Sequence, residues 1–480
     1  MRESRRTNYV ILAALLMIAA AVAVYASLVM RWFSAPKAPR SAAPASAAPA
    51  SSAAALEDAR REFRERLLDP RAHLRLSEAL WKAGRPVDAF YVMYAARQIF
   101  PDAAFRAAHA EVVLGVGGPA AAARARLKSL ADPALAVPIH AAVARDYPDS
   151  PEGRDSLEQL SALAAAPDGG PEADAGRLAR AALEELYRAD PKNPDKLAAL
   201  AGADFSRGDA GQARALAAEA WNKYPGHAGA ARVMGMLALG SRDIDGALKW
   251  LAAAWDRDPD DLYSAAKLAQ IYDKRRGDPE AALPFYLALY RQNPDYADDE
   301  PAETRIRETL DHRRESLLKD APAEGLGGRF KLDDASLRAE AALRAASFKD
   351  PRWIDALGDL LDDDTELVRR SADYALFSIA AREGGAVRAR KDSWLGGDKP
   401  LVRVRALNLF ADLDGMSALP AVAAALRDPN PGVRVFAKLM VLDHYYKGRP
   451  EAAKLRARYL SEEKDPDALD FLKRFPPATR

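Results

Sequence analysis

The chain has 480 residues, of which 49% are apolar and 29% charged, with 70 basic against 69 acidic side chains and no cysteine. That length exceeds what one hydrophobic core organises, so several domains or an elongated repeat stack is expected, and a net charge of +1 argues against nucleic acid as the main partner. The lack of cysteine excludes disulfides, thiolate metal sites, iron–sulfur ligation and cysteine nucleophiles, and leaves the compartment open.

From Val10 to Met30 no residue is charged. At about 1.5 Å per residue this run spans about 31 Å, the thickness of a bilayer core. Arg2, Arg5 and Arg6 precede it, Arg31 follows it, and Tyr9 and Trp32 stand at interfacial positions. The expectation is a short basic cytoplasmic tail at 1–9 and a single-pass transmembrane anchor at 10–30. Secretion after signal cleavage at Val24-Tyr25-Ala26 is the competing reading, and the apolar run continuing through Leu28, Val29 and Met30 speaks against it. Lys37 and Arg40 nearly balance the leading arginines, but a short basic tail ahead of a long domain stays in the cytoplasm. The bulk of the chain is then expected on the outer, periplasmic face of an inner membrane. The Ala/Pro/Ser-rich stretch 31–55 cannot bury a core and is expected to be a flexible tether.

Helical periodicity occupies 56–319. Asp69 to Asp102 form a repeat-like unit, with Leu76 and Leu80 on one face, a turn at Gly84-Arg85-Pro86, small residues at Ala89 and Ala96, and Pro101 closing it. The spacing decays from Ala103 to Ala166, and Ala166 to Asp174 link two helices. From 191 to 296 the pattern is clearest. Prolines at 191, 225, 259 and 294 recur at steps of 34, 34 and 35 residues, Ala201, Gly235 and Ala269 fall ten residues after successive prolines, and Ala213, Ala247 and Ala282 lie near mid-interval. Paired small residues let two helices approach closely, and each proline ends a second helix, because the residue before it is pushed out of the α region.

This stretch resembles the tetratricopeptide repeat family. The resemblance implies a superhelical scaffold that binds a protein or peptide along the groove lined by the first helix of each pair, with Phe205, Arg232, Tyr263 and Gln270 pointing into it. The carboxylate-clamp subfamily is disfavoured, because its lysine and asparagine positions hold Ala198, Gly202, Arg232 and Met236.

A Gly-rich hinge is expected at 320–330, around Gly325-Leu326-Gly327-Gly328, and a second array at 331–475. Leu337-Arg338, Val368-Arg369, Val402-Arg403 and Val433-Arg434 recur at steps of 31, 34 and 31 residues, and Ala341, Ala372, Ala406 and Ala437 follow each apolar residue by four positions, on the same helix face. Asp364, Asp398 and Asp428 precede three of these helices and are expected to cap them. The segment Ser417 to Leu442 resembles a HEAT repeat. The arginines are read as a structural ladder along the stack in preference to a row awaiting an acidic partner, and the charged stretch Ala452 to Leu472 suits a terminal cap.

No chemistry-bearing motif emerges. None of the six histidines, His73, His109, His140, His227, His312 and His444, is followed by glutamate, and no two share metal-ligand spacing. There is no phosphate loop, dinucleotide fingerprint or nucleophile elbow. Asp362-Asp363-Asp364 lacks the remaining ligands of a calcium loop and is read as a solvated helix start. The expected fold class is therefore all-α, an α-solenoid of tetratricopeptide-like helix pairs followed by a HEAT-like α-solenoid, with one N-terminal transmembrane helix. The expected function is a non-enzymatic, membrane-tethered adaptor without cofactor or metal. Two alternatives stand beside it: a HEAT-like lyase or hydrolase, and a polyanion groove using Arg388, Arg390, Lys391, Arg403 and Arg405. The sequence does not specify an oligomeric state.

Overall fold

The computed structural model describes residues 50–115, 133–148, 150–166, 173–318 and 322–474. The basic tail, the apolar segment 10–30 and most of the tether lie outside the described residues. Among those described, all regular structure is helical, with one isolated bridge between Ala297 and Pro301, and no helix is long and apolar enough to cross a membrane.

The first helix of the described residues, α1 (Ala50–Glu65), begins inside the stretch expected to be tether. Pro49 is the last proline before it, and the alanines that follow are strong helix formers. Next come α2 (Pro70–Lys82), α3 (Pro86–Ile99), α4 (Asp102–Val112), α5 (Pro133–Asp146), α6 (Pro151–Ala164) and α7 (Ala173–Ala189). The regular pairs are α8 (Pro194–Ser206) with α9 (Ala210–Lys223), α10 (Ala228–Gly240) with α11 (Ile244–Arg257), and α12 (Leu262–Gln270) with α13 (Pro279–Gln292). Cap chemistry keeps the same period as the prolines. Asn193, His227 and Asp261 cap the first helices by accepting from backbone amides at Asp195, Ala230 and Tyr263, and each proline stands two residues past the end of a second helix.

Ala201, Ala213, Ala247, Ala269 and Ala282 are all buried between helices. At Gly235 a Cβ would come within 2.7 Å of the Leu251 side chain, so α10 and α11 cross there at glycine distance. The turn inside each pair needs a left-handed residue, which is Gly208 in the first and Gly277 in the third. In the second it is Arg242, at φ 61°. A side chain in that region costs about 1–2 kcal/mol, partly offset by the greater unfolded-state freedom of glycine. Arg242→Gly is therefore expected to stabilise the protein by about 0.5–1 kcal/mol, read as a raised urea midpoint at unchanged slope.

Between α5 and α11 the buried apolar residues form small clusters, each shared by neighbouring helices, the packing of a stack stabilised by adjacent units. Beyond α12 they merge into one large core that continues through α14 (Ala302–Leu318), α15 (Ala335–Phe348), α16 (Ile354–Leu360), α17 (Glu366–Arg388), α18 (Lys391–Leu395), α19 (Pro400–Asp414), α20 (Leu419–Ala425), α21 (Pro431–Phe436), α22 (Pro450–Glu462) and α23 (Pro466–Arg474). That core also contains Leu74, Phe90, Met93 and Phe105. Stacking order therefore departs from chain order: the α2–α3 hairpin packs against α13, α15 and α17. Arg291 on α13 makes paired bonds of 2.8 and 2.9 Å to Glu78, and His109 donates to the Arg291 carbonyl at 2.8 Å.

The described part of the 320–330 segment is not a break in the chain. A 3₁₀ turn at Ala323–Gly325 runs into one helical turn at Leu326–Arg329, with Leu326 fully buried and Phe330 edge-on to Trp353 at 5.6 Å. Apolar anchors at 326 and 330 outweigh the flexibility of the glycines around them.

The arginines of the second array form a regular ladder. Arg338, Arg403 and Arg434 each donate Nη1 to the carbonyl six residues earlier, at 2.6, 2.7 and 2.9 Å, and Arg369 makes the same bond to Asp363. Three of them also grip a carboxylate of the following unit in bidentate fashion: Arg338 on Asp363, Arg403 on Asp428 and Arg434 on Glu463.

The aspartates expected to cap these helices do other work. Asp364 binds Arg60 of α1 at 2.6 and 2.9 Å, Asp428 binds Arg403, and α19 starts from Lys399 instead of Asp398. The Asp362-Asp363-Asp364 run is not a solvated helix start either. Arg64 and Lys399 reach Asp362 at 3.1 and 3.5 Å, so each carboxylate answers a cation brought by tertiary packing. A single-helix reading could not supply those cations.

Candidate partner-binding surfaces

The first helices of successive pairs are α6, α8, α10, α12 and α14; α8 packs directly on both α6 and α10, and two depressions open along this row. The first, of about 90 Å³, lies between α6, α8, α10 and the start of α12, and Arg232 stands in it between Glu158 and Asp261, 3.5 Å from the latter. Burial works against the Arg232 charge, yet Asp261 and Glu158 together hold its pKa above the ordinary arginine value. The second, of about 250 Å³, lies between α12 and α14 and is lined by Gln270, Lys274, Asp298, Asp299 and Arg305. There the Gln270 amide donates to Asp298, while its oxygen accepts from Lys267 at 3.1 Å.

Phe205 and Tyr263 line neither depression. Phe205 is half-buried against Ala201 and Val233, and Tyr263 is half-buried with the Lys267 ammonium 5.8 Å from its ring centre. The four residues expected in the groove are thus spread over separate places.

The five cations of the polyanion alternative are each paired. Arg388 and Lys391 both hold Asp414 at 2.6 Å, Arg390 holds Asp355 at 2.7 Å, Arg403 holds Asp428, and Arg405 reaches Glu366. Charge already neutralised in this way releases few counterions on binding a polyanion.

A more voluminous cavity, about 600 Å³, lies elsewhere, where the α2–α3 hairpin meets α14, α17 and α19. Its floor is aromatic and aliphatic, with Phe63, Leu67, Tyr91, Tyr94, Leu401 and Phe436. Arg307, Arg314, Arg369, Arg370 and Arg405 line it, against the carboxylates of Asp311 and Glu366. Sequence reasoning missed it because its walls come from segments more than 200 residues apart.

His73 sits in this wall with Phe63 and Phe100 edge-on at 4.8 and 5.1 Å, and its Nε2 donates to the Leu67 carbonyl at 3.0 Å. Burial, only partly opposed by that bond, lowers its pKa to about 4, so the ring is neutral at pH 7. The unfolded chain takes up this proton near pH 6.5 and the folded one only near pH 4. The stability is thus fully present above about pH 6.5 and is lost as pH falls through that window, up to about 3 kcal/mol. His73→Phe is expected to remove this acid-sensitive component, so urea midpoints of the variant fall less than those of the parent between pH 7 and pH 4.

Residues 204–271, which span α10 and α11 and the helices flanking them, match the tetratricopeptide repeat family. No curated protein matches the chain.

Proposed function

We propose that the protein is a non-enzymatic scaffold that binds partner proteins or peptides along the wall formed by its paired helices. We further propose that residues 10–30 hold it to an inner membrane with the arrays on the outer face, as part of a bacterial envelope assembly. The observation that carries the binding role is the tetratricopeptide repeat match over 204–271, since such repeats generally mediate protein–protein contacts. The placement of Arg232 and Gln270 in depressions of that wall agrees with it. The membrane part rests on the uncharged run and its flanking arginines. The second array is read as HEAT-like on the strength of its ladder of arginines and carboxylates. The non-enzymatic reading draws on the same family match and on the acid–base groups of the 600 Å³ cavity, where Glu366 is held ionised by arginines and His73 is a very weak base.

The test is proximity labelling from the full chain in its native cell. The double variant Gln270→Ala and Lys274→Ala, both at the mouth of the second depression, is expected to lower recovery of the principal partner about tenfold. Removal of residues 1–30 is expected to move the protein out of the membrane fraction while purified partner still binds. An unchanged partner set in the double variant would refute the groove reading.

A further inference from the structure

The arginine ladder of the second array has one missing rung. Asp363 and Asp428 each play a double part: the carboxylate takes the arginine of the preceding unit, and the carbonyl takes the arginine six residues on. Between them the position that keeps the same register, six residues before Arg403, is Gly397. Its carbonyl accepts from Arg403 at 2.7 Å, but it has no carboxylate to offer Arg369. Arg369 therefore turns back to Glu366 on its own helix, at 2.9 and 3.2 Å.

Glu366 is already claimed, by Arg370 at 2.8 Å and by Arg405 from α19. Three guanidiniums share one carboxylate, and two of them, Arg369 and Arg405, have side chains only 8% and 6% exposed. Burial and the neighbouring Arg405 act on Arg369 against its charge. On α14, which lines the same cavity, Arg307 lies 5.6 Å from the centre of the Tyr94 ring; among the described residues it has no carboxylate partner and Arg314 pairs only with Asp311. The excess positive charge thus falls in two groups carried by different helices, one at Glu366 on α17 and α19 and one on α14 beside Tyr91 and Tyr94, and both line the same cavity as Phe63 and Phe436.

We propose that this cavity is a second docking site, which receives an acidic segment of a partner protein carrying a large apolar side chain. One carboxylate would take up the excess charge of Arg369 and Arg370 beside Glu366 on the cavity wall. A second would meet Arg307 and Arg314, while the apolar side chain lies on Phe63, Tyr91, Tyr94 and Phe436. Two separated groups of cations fit spaced carboxylates along a peptide better than one lipid headgroup, which needs its donors gathered at a point. The chain's own residues 1–49 are excluded as occupant by charge, since they carry six basic side chains against the single Glu3. The site shares α14 with the paired-helix wall, but its lining residues are distinct from those of the two depressions there, and it does not need the groove reading to hold.

The experiment is fluorescence polarisation of the full chain with a labelled peptide of alternating acidic residues and phenylalanine. The same peptide with every acid replaced by its amide serves as control, and phosphatidylglycerol vesicles and oleate as competitors. Saturable binding is expected that weakens with salt and is lost in the amide peptide. Arg370→Glu and Arg307→Glu, both at the exposed rim, are each expected to lower affinity about tenfold or more, and Tyr94→Ala to lower it with no change in salt dependence. Gln270→Ala, on the paired-helix wall, is expected to leave peptide binding unchanged, which separates this site from the groove. The proposal is overturned by absence of saturable binding, by rim charge reversals without effect, by sensitivity to Gln270→Ala in place of Arg370→Glu, or by vesicles or oleate binding the cavity while the peptide does not.

Discussion

Asp88→Ala is expected to destabilise the protein by about 3–5 kcal/mol, the range for removing one partner of a buried charge pair. Asp88 is fully buried on α3 and reaches across to the second array, where it accepts from the Ala335 backbone amide at 2.6 Å and from Arg338 at 3.2 Å, while Arg85 of its own turn binds it too. Burial raises its pKa against the pull of Arg338 and Arg85, so the carboxylate is held at a cost that the cations offset. Without it Arg338 keeps Asp363 and the Leu332 carbonyl, but the first amide of α15 loses its acceptor and two guanidiniums lose a shared counter-charge. Asp88→Asn retains an acceptor for Ala335 and is expected to cost clearly less. Chemical denaturation of the two variants provides the check, and equal losses would mean that the whole effect comes from the carboxylate charge and that the bond to the Ala335 amide contributes nothing.

That joint marks the boundary of what was legible in the chain. The helix pairs between 191 and 296 were legible because caps, small residues and prolines repeat with them, and each acts on residues a few positions away. Ala201, Ala213 and Gly235 declare close helix contact wherever the pair sits. The docking of α2 and α3 on the second array was not legible. The unit at 69–102 keeps the small residues of its relatives, and local periodicity carries no information on which helix lies alongside. What decides it is long-range complementarity, Asp88 with Arg338, Arg60 with Asp364 and Glu78 with Arg291, over separations of more than 200 residues.

The same limit explains the aspartates at 364 and 428. A carboxylate ahead of a helix is chemically fit to cap it, and only the folded chain brings an arginine that competes successfully for it. The ladder itself was half legible. The period of the arginines is plain in the sequence, and carrying it six residues back from Arg369, Arg403 and Arg434 would have exposed Asp363, Gly397 and Asp428 in register, with the glycine as the exception. The four groove residues were placed by resemblance alone, and that carries no information on which of them packing half-buries.

The broken rung leads to the second large effect. Glu366→Ala is expected to cost about 3–5 kcal/mol, because it strips the shared carboxylate from two buried guanidiniums at once. Arg405 keeps only Asp373, at 3.8 Å, and burial pushes that carboxyl up to about 6, so its charge is weakly held near neutral pH. Arg369 keeps only the Asp363 carbonyl. Arg369→Met, which replaces the buried cation with an apolar chain of similar length, is expected to cost less than about 1.5 kcal/mol, because the desolvation it relieves offsets the pair it removes. Combined with Glu366→Ala it should restore part of the loss, since one of the two stranded charges is gone. The urea midpoints of the four proteins form a double-mutant cycle, and a coupling energy of about 1–3 kcal/mol is expected. Additivity within about 0.5 kcal/mol would instead mean that Glu366 and Arg369 do not act on each other, and that the missing carboxylate at Gly397 leaves no charge in need of a partner.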